Sequence, residues 1–317
     1  MIVVICLNPA LDITHYVPAV DWSGVNRPTA VHARPGGKGL NVARTLRALG
    51  ADVLVMGLAG GITGAGVAAA LGELGVPADF TAIAGETRRT FTVVDGRGGG
   101  AALFSEAGPA VDEAEFGEFR VRYEKALAGC AAVALSGSLP PGLPADSYAT
   151  LIAMASAAGV PAVLDAHGEA LLAGAAAAPA IVKPNLAELA ALAGRPLSTE
   201  RGADFPAVAA AAGRLRAAGA QAVVASLGAE GLLAVTEEGR WRAWPPAPVA
   251  GNATGAGDAV TAGLVQGLVL GRPWAERLRH AVALGTAAAA APVAGEFRAA
   301  DYASELARVT VCRDGDR

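Results

Sequence analysis

The fold is decided by residues 132–164, whose sequence is AVALSGSLPPGLPADSYATLIAMASAAGVPAVL. The short apolar runs at its two ends, Ala132–Leu135 and Pro161–Leu164, have the length and composition of buried strands. Between them, Ala145–Ala158 is longer, rich in alanine and spaced like a helix. A strand, a helix and a strand in this order indicate a βαβ unit, because parallel strands need a crossover connection. The stretch therefore predicts a parallel sheet covered by helices.

The same alternation continues along the rest of the chain. Further strands are predicted at Ile2–Leu7, Val53–Leu58, Ala180–Val182, Ala222–Ser226 and Leu232–Val235. Further helices are predicted at Leu40–Leu49, Ala65–Leu74, Leu186–Leu192, Pro206–Ala218 and Ala256–Leu270. Strands that are continuously apolar belong in sheets buried on both faces. The pattern predicts an α/β fold with a doubly wound, mostly parallel sheet flanked by helices.

Two segments depart from this alternation, at about residues 13–35 and 88–107. Both contain β-branched, aromatic and turn residues without a helical period. We expect them to pair as a small β-sheet lid over the ligand edge of the main sheet. Two unrelated surface hairpins are the alternative interpretation. Because neither a linker nor a repeat interrupts the chain, residues 1–317 are predicted to form one domain with this lid.

Composition excludes several classes of protein. The 317 residues are 53% apolar and 17% charged, which is typical of a large folded core and not of a disordered chain. The net charge is -4 and no basic run occurs, so we expect neither nucleic acid nor a membrane surface as a partner. Three cysteines, at positions 6, 130 and 312, are far apart and indicate reduced thiols. With Met1 leading directly into a predicted strand, we expect a soluble, cytoplasmic protein.

The most informative motif is Gly251–Asp258, with the sequence GNATGAGD, at the start of a predicted helix. The backbone N–H groups of Gly255, Ala256 and Gly257 can point outward together there, where the helix dipole favours an anion. Asp258 in the first helical turn would then be close enough to accept the proton of a hydroxyl group that approaches the bound anion. The combination indicates phosphoryl transfer. Taken alone, the motif would favour a simpler interpretation, a glycine turn followed by an ordinary first-turn acid.

A second glycine-rich segment, Pro35–Ala43, has the sequence PGGKGLNVA and also enters a predicted helix. It carries a cation, Lys38, and an amide, Asn41, which can contact a phosphate and a sugar hydroxyl. A Walker A loop is excluded, because Gly39 instead of Ser or Thr follows the lysine. Gly60–Gly66 does not have the spacing of a dinucleotide-binding GxGxxG motif.

With these motifs in order, the chain resembles the ribokinase-like (PfkB) carbohydrate kinases, and within them the 1-phosphofructokinase and tagatose-6-phosphate kinase group. The resemblance extends over almost the whole chain. Seven ordered segments carry it: LNPALD at 7–12, GGKGLNVA at 36–43, GETR at 85–88, SGSLPPG at 136–142, KPN at 183–185 with Glu188, SLG at 226–228 with Gly231, and GAGD at 255–258.

The resemblance implies transfer of the γ-phosphoryl group of ATP to a sugar hydroxyl. Asp258 matches the general base of the family, and the N–H groups at 255–257 match its anion hole. The positions that match contacts to the sugar and to a phosphate already on it are Asp12, Gly37, Lys38, Asn41, Arg88 and Ser138. Taken singly, these have simpler interpretations, such as a turn residue for Asp12 and solvated surface charges for Lys38 and Arg88.

On the nucleotide side, the resemblance implies roles for five residues. Lys183, Asn185 and Glu188 match the region that places Mg²⁺ and the ATP phosphates, with Asn185 and Glu188 acting on the metal through water. Ser226 and Gly228 match the nucleotide pocket. Asn185 and Glu188 are three residues apart at a predicted helix start, so a structural capping box is the alternative interpretation.

The chain is thus expected to be an ATP- and Mg²⁺-dependent kinase of a phosphorylated ketohexose, either fructose 1-phosphate or tagatose 6-phosphate, with fructose 6-phosphate as a further candidate. Two cations, Lys38 and Arg88, favour a phosphorylated sugar over a neutral one. A ribokinase-like or adenosine-kinase-like enzyme is the alternative, and a catalytically silent sugar-phosphate sensor is the alternative outside enzymes. Apolar residues in the lid also predict a homodimer formed through it.

Overall fold

The main sheet has ten strands within the part of the chain that the computed structural model describes, residues 1–98, 100–199, 204–247, 254–291, 293 and 295–314. The strands are β1 (Ile2–Cys6), β4 (Val53–Ala59), β5 (Ala78–Ala82), β8 (Ala132–Ser136), β9 (Ala162–Asp165), β10 (Ile181–Val182), β11 (Val223–Ser226), β12 (Leu232–Thr236), β13 (Gly239–Trp244) and β14 (Thr310–Arg313). Their order across the sheet is β14-β13-β12-β11-β10-β9-β8-β1-β4-β5. The seven from β5 to β11 in this order pair in parallel, and β12, β13 and β14 are antiparallel.

Helices cover both faces of this sheet. They are α1 (Lys38–Ala48), α2 (Gly61–Glu73), α3 (Glu113–Leu127), α4 (Ser147–Ala157), α5 (Gly168–Ala176), α6 (Leu186–Ala193), α7 (Phe205–Ala218), α8 (Ala256–Val269), α9 (Trp274–Ala290) and α10 (Ala299–Leu306). One core cluster packs helices α3 to α7 against the sheet, and the other packs α1, α2, α8, α9 and α10. Consecutive residues of β1 alternate between the two clusters, with Val3 and Ile5 in one and Val4 and Cys6 in the other. Burial on both faces explains why this strand is continuously apolar.

A separate sheet has the strand order β3-β2-β6-β7. Its strands are β2 (Ala10–Val17), β3 (Ala30–Gly36), β6 (Arg88–Asp95) and β7 (Ala101–Ser105). The two segments predicted to form a lid, at about residues 13–35 and 88–107, are joined through β2 and β6. These strands pair in parallel over eight residues, from Ala10 with Arg88 to Val17 with Asp95. The prediction of one small sheet is confirmed, and the alternative of two unrelated hairpins is wrong. We call it the small sheet.

All seven predicted strands of the main sheet are present, and so are the six predicted helices. The sequence pattern missed β5, β13 and β14 and four helices, α3, α5, α9 and α10. Arginines and tryptophans alternate in β13, so this strand lacks the apolar run that marked the buried strands. For α3 a usable signal existed, because Asp112 and Glu115 form a capping box at its start. Within the described residues, no helix is long and apolar enough to cross a membrane.

Candidate active site

Predicted site residues and two others, Asn8 and Asp165, lie at the carboxyl ends of the parallel strands. Asn8 follows β1, Ser138 follows β8, Asp165 ends β9 and Lys183 follows β10. Ligands of open α/β sheets bind at this edge. The small sheet begins here as well, because β2 starts at Ala10, four residues after the end of β1.

Asp258 lies in the first turn of α8 and is buried, with 7% of its surface exposed. Its helix begins after Gly255, whose φ of 85° is left-handed and favours glycine. Asn41 Nδ2 in α1 donates a hydrogen bond of 2.9 Å to Asp258 Oδ2. The two glycine-rich helix starts identified in the sequence therefore meet through this amide and carboxyl group. Asn41, which was predicted to contact sugar, orients Asp258 in the structure.

The surroundings of Asp258 make its carboxyl group a much weaker acid than an ordinary aspartate. Burial, and after it the nearby Asp165 carboxylate, raise the pKa of Asp258 to about 7 against the opposing effects of Asn41, Lys38 and Lys183. A carboxyl group with a pKa near 7 is well matched to accept a proton at neutral pH. The arrangement is thus chemically able to perform general base catalysis.

Asp165 is the central residue of this site that the sequence analysis missed. Its Oδ2 atom lies 3.1 Å from Lys183 Nζ, its Oδ1 atom lies 3.1 Å from Lys38 Nζ, and Thr261 Oγ1 donates to Oδ2 at 2.9 Å. Burial opposes ionisation, but the two ammonium groups outweigh it, so the pKa of Asp165 is lowered. The available signal was an acid directly at the end of an apolar run, Ala162–Asp165.

The ion pairs with Asp165 change the interpretation of both lysines. Lys38 was predicted to hold the substrate phosphate and Lys183 the ATP phosphates, yet each ammonium group already contacts this carboxylate. Burial lowers the pKa of Lys38, but Asp165, Glu188 and Asp258 together raise it above its ordinary value. Lys38 is therefore a charged group whose charge is already largely compensated inside the protein.

The predicted anion hole, residues 255–257, lies within the described residues. Residues 251–253, at the start of the same motif, lie outside them. The N–H groups of the first turn of α8, from Ala256 onward, have no partner within the helix, which is a general property of helix starts. A Cβ atom at Gly257 would lie 3.7 Å from Lys183 Nζ, so this ammonium group lies just beneath the turn. An anion at this turn would therefore lie close to a cation.

Arg88 and Ser138 meet through Asn8. Arg88 Nε donates to the carbonyl oxygen of Asn8 at 3.2 Å, and Asn8 Nδ2 donates to Ser138 Oγ at 3.0 Å. Arg88 Nη1 also donates to Ser105 Oγ at 2.9 Å, which anchors it within the small sheet. Asn8 Oδ1 is buried without a hydrogen-bond partner. Asn8 was part of a quoted motif but received no role, and the structure makes it the link between these two predicted site residues.

Asp12 lies on β2 between its two neighbours in the small sheet. It is opposite Arg34 of β3 and Thr90 of β6. Burial raises the pKa of Asp12, while the Thr90 hydroxyl, Arg88 and Arg44 act in the opposite direction. A Cβ atom at Gly36 would lie 2.0 Å from Asp12 Oδ2, so only glycine leaves room for this carboxylate.

The glycines of the GGKG segment bring α1 close to β1. Gly37 precedes the helix with a φ of 100°, which favours glycine. A Cβ atom at Gly39 would lie 2.6 Å from the Cβ atom of Cys6, so a larger residue would push the helix away from the strand. These two positions hold Lys38 and Asn41 beside the strand ends.

Asn185 and Glu188 form a capping box at the start of α6. Glu188 N–H donates to Asn185 Oδ1 at 2.9 Å, and the backbone N–H of Asn185 donates to Glu188 Oε2 at 2.8 Å. The structural interpretation of this pair is therefore correct, and a direct metal contact by both side chains would have to break it. The Glu188 carboxylate keeps further lone pairs, and Mg²⁺ retains several waters, so the pair fits a metal held through water.

A cavity of about 370 Å³ opens beside the α8 start. Ser226 and Gly228, both predicted for the nucleotide side, line it. Ala256 and Gly257 of the predicted anion hole also line it, together with Gly231 of a quoted motif. The other lining residues are mostly small or apolar and were not predicted: Ala229, Leu232, Pro245, Val260, Val282, Gly285, Thr286 and Ala289. A slot with small side chains and a few polar groups suits a flat aromatic ligand. It adjoins the helix start where a phosphate would bind.

Comparison with known proteins identifies the class to which this fold and site belong. Residues 7–297 match the pfkB family carbohydrate kinases, so the chain belongs to this family. It is accordingly a carbohydrate kinase, a phosphotransferase.

Solved structures of similar proteins agree with this assignment. The tetrameric inhibited form of phosphofructokinase-2 from Escherichia coli is 32% identical with a TM-score of 0.87, and the alignment covers 96% of this chain and 98% of that one. A possible 1-phosphofructokinase from Thermotoga maritima is 25% identical with a TM-score of 0.86 and 99% coverage of both chains. Arabidopsis thaliana ribokinase, 22% identical with a TM-score of 0.74 over 96% of this chain and 98% of that one, shares the fold.

Proposed function

We propose that the protein is an ATP- and Mg²⁺-dependent kinase of a phosphorylated ketohexose, with Asp258 as the general base. The observation that carries this proposal is the buried Asp258 carboxyl group at the start of α8, held by Asn41 and with a pKa raised to about 7. In phosphoryl transfer the protein mainly positions the reactants and stabilises charge. A proton acceptor next to an anion-binding helix start meets both requirements.

For the acceptor, we propose fructose 1-phosphate or tagatose 6-phosphate, with fructose 6-phosphate included. The support for a phosphate on the sugar is Arg88, an arginine at the start of the small sheet that contacts the turn after β1. Its planar guanidinium group suits phosphate oxygens. Fructose 6-phosphate is included because phosphofructokinase-2 from Escherichia coli, 32% identical to this chain, has been solved in complex with it.

For the donor, we propose ATP bound in the 370 Å³ cavity beside Ser226 and Gly228. Its phosphates would extend to the first turn of α8, where unpaired N–H groups and Lys183 provide positive potential. Mg²⁺, when bound, supplies charge neutralisation for the phosphate oxygens. Glu188 and Asn185 would hold it through water.

In the proposed mechanism the small sheet closes over the sugar and excludes water, which limits hydrolysis of ATP. Asp12 and Asn8 orient sugar hydroxyls by accepting or donating hydrogen bonds, and Asp258 accepts the proton of the attacking hydroxyl. The N–H groups at the α8 start stabilise the charge that develops on the transferred phosphoryl group. Asp165 positions Lys38 and Lys183 around the reacting groups through its two ion pairs.

The experiment is a substrate panel with coupled detection of ADP. We expect faster turnover of fructose 1-phosphate, tagatose 6-phosphate or fructose 6-phosphate than of ribose, fructose or adenosine, and loss of turnover without a divalent metal. Faster turnover of an unphosphorylated sugar or nucleoside would reject the proposed substrate class. Calorimetric binding of a sugar phosphate without any ADP formation would instead identify a silent sensor.

A second candidate, a kinase of an unphosphorylated sugar or nucleoside, is favoured by one observation. Lys38 contacts Asp165 at 3.1 Å, so one of the two cations expected at the substrate phosphate is already compensated. Arg88 alone then decides between the two substrate classes. Substituting Arg88→Gln should raise KM for a sugar phosphate and leave KM for ATP unchanged. An unchanged KM for the sugar substrate would favour this second candidate.

We also propose a homodimer formed through the small sheet. The outer residues of this sheet and its connecting segment include large apolar side chains that are exposed: Leu103 at 67%, Phe104 at 55%, Val31 at 53% and Trp22 at 81%. Several large apolar side chains exposed on one small sheet are a feature of surfaces that associate.

A further inference from the structure

A second cavity, here termed the arginine cavity, lies at the end of the main sheet opposite the candidate active site. It has a volume of about 580 Å³, and Arg216, Arg272 and Arg277 contribute to its lining. Ala180 and Gln221 also line it. They lie just before β10 and β11, at the amino ends of these strands, whereas the candidate active site lies at the carboxyl ends. The 14 residues of α8 separate the two places by about 21 Å. The arginine cavity is therefore distinct from the kinase site.

The three arginines share this cavity without a carboxylate bound to any of them. In the described ranges of the chain, none of the three forms an ion pair with an aspartate or glutamate. Arg216 Nε donates to the carbonyl oxygen of Gln221 at 3.0 Å, and Arg277 Nη2 donates to the carbonyl oxygen of Arg272 at 3.0 Å. Three guanidinium groups thus retain most of their hydrogen-bond donors.

Two of the remaining donor nitrogens are buried and have no hydrogen-bond partner among the residues that the structure describes. They are Nη1 of Arg272 and Nε of Arg277. An unpaired donor on a charged group is costly when it is buried, so such atoms indicate a ligand, an ion or water that completes their hydrogen bonding. Both side chains line the arginine cavity, and they are therefore positioned for the same bound group.

Two acids, Glu237 and Glu238, limit the kind of ligand that fits. Both are exposed and also line the cavity, and Glu237 Oε1 accepts the indole N–H of Trp274 at 3.4 Å. Three cations against two acids leave a small positive excess, to which the start of the 17-residue α9 adds its dipole. Arg277 covers the Trp274 ring at 4.4 Å and the tryptophan is 5% exposed, so no open aromatic face is left for a nucleobase. The site suits a compact anion.

We infer that the arginine cavity binds a phosphate group, either free phosphate or the phosphate of a small non-aromatic metabolite. Guanidinium groups provide paired donors that match phosphate oxygens, and they remain charged at any physiological pH. A phosphate accepts from several donors at once, so arginines that line one cavity can bind it together. This binding is independent of the substrate and activity proposed above.

The test is equilibrium dialysis of the full chain with radiolabelled inorganic phosphate and, in a parallel series, glycerol 3-phosphate. We expect Arg272→Gln and Arg216→Gln each to abolish the binding of one phosphate per chain, or to weaken the affinity for it by roughly tenfold or more. The control is Arg214→Gln, which removes an exposed arginine from the same helix as Arg216 and should bind as the unchanged chain does. Tighter binding of the ester than of free phosphate would identify a metabolite as the natural ligand, and the reverse order would identify free phosphate.

A further variant separates this site from the kinase site. Arg88→Gln should leave the equivalent bound in the arginine cavity intact, because Arg88 lies at the opposite end of the sheet. Loss of all phosphate binding in Arg88→Gln would place the anion at the kinase site and overturn the inference. Binding in Arg272→Gln and Arg216→Gln equal to that of the unchanged chain would overturn it as well, and so would an absence of phosphate binding at millimolar concentrations. Circular dichroism would verify that each variant is folded.

Discussion

At the scale of single residues, Asp258 is the group on which the proposed reaction depends. Substituting Asp258→Asn keeps the size and the contact with Asn41 but removes the proton acceptor. We expect kcat to fall by roughly a hundredfold to ten-thousandfold, with a smaller effect on KM. A coupled ADP assay on the best substrate measures both constants. Glu124→Gln, an exposed acid on α3, is the matched control, and near-normal turnover in Asp258→Asn would exclude this residue as the base.

The acidity of Asp258 predicts the pH dependence of the reaction. Its pKa is raised to about 7 by burial and by the Asp165 charge, and only the carboxylate form accepts a proton. The fraction of active enzyme therefore decreases as pH falls through 7, and kcat/KM should drop by about tenfold per pH unit below that value. Initial rates between pH 5 and 9 test this. A profile that stays flat across this whole pH range would contradict the assignment.

Asp165 is expected to matter for stability as much as for catalysis. It is 1% exposed and holds two ammonium groups, so Asp165→Ala leaves the buried Lys183 as an uncompensated cation in the interior and the partly exposed Lys38 without its partner. Removing one partner of a buried ion pair costs about 3–5 kcal/mol. Denaturant unfolding should show this loss in the free energy of unfolding, whereas Asp52→Ala, at an exposed ion pair, should change it by less than about 1 kcal/mol. Similar values for both variants would show that the network contributes little.

Sequence analysis identified Asp258 and Asn41 because each lies at a glycine-rich helix start, which is a local pattern. It missed Asp165 and the linking role of Asn8, since each is a single polar residue beyond a strand. Their importance arises from contacts with residues far along the chain, such as the 127 positions between Lys38 and Asp165. No local pattern encodes such a contact.

At the scale of secondary structure elements, the contact between α8 and α9 depends on glycine. A Cβ atom at Gly263 would lie 2.8 Å from the Cα atom of Ala281, and one at Gly285 would lie 2.7 Å from Val260 Cγ2. Both helices line the 370 Å³ cavity that we propose for ATP, α8 through Gly257 and Val260 and α9 through Gly285. Their close packing therefore sets the width of that cavity.

The expected effect of Gly263→Ala follows from this packing. The added methyl group meets the backbone of α9, which cannot rotate away, so we expect a loss of about 1–3 kcal/mol and a higher KM for ATP. Gly213→Ala in α7 is the matched control, because nothing lies within 4 Å of its added Cβ atom. That change should instead stabilise the protein by about 0.5–1 kcal/mol through helix propensity. Thermal or denaturant unfolding compares the two, and stabilisation by both would contradict the packing argument.

The elements that could be predicted are those with a clear hydrophobic period. Strands buried on both faces, such as β1 and β8, are continuous apolar runs. The antiparallel strands β13 and β14 mix charged and apolar residues, and only the pairing of β13 with β12 and of β14 with β13 makes them part of the sheet. Tertiary pairing therefore decided the elements that local sequence left ambiguous.

At the scale of the whole molecule, the exposed apolar residues of the small sheet predict association. For the 31.4 kDa chain, light scattering at micromolar concentration should give about twice this mass. Leu103→Asp or Phe104→Asp should reduce the mass to that of a monomer, because a buried unpaired charge opposes the contact. Val121→Asp on α3, also an exposed apolar position, is the control and should remain dimeric. A monomeric mass for the unchanged chain would reject the proposed dimer.

The sequence by itself determined the α/β architecture, the small sheet and the two glycine-rich helix starts with Asp258 and Asn41. These features follow from hydrophobic periodicity and glycine placement, which act over neighbouring residues. Only the tertiary structure decided that Lys38 and Lys183 share Asp165 and that three arginines line one cavity at the far end of the sheet. Charge pairing and cavity formation depend on which distant segments pack together, and packing is a property of the folded chain as a whole.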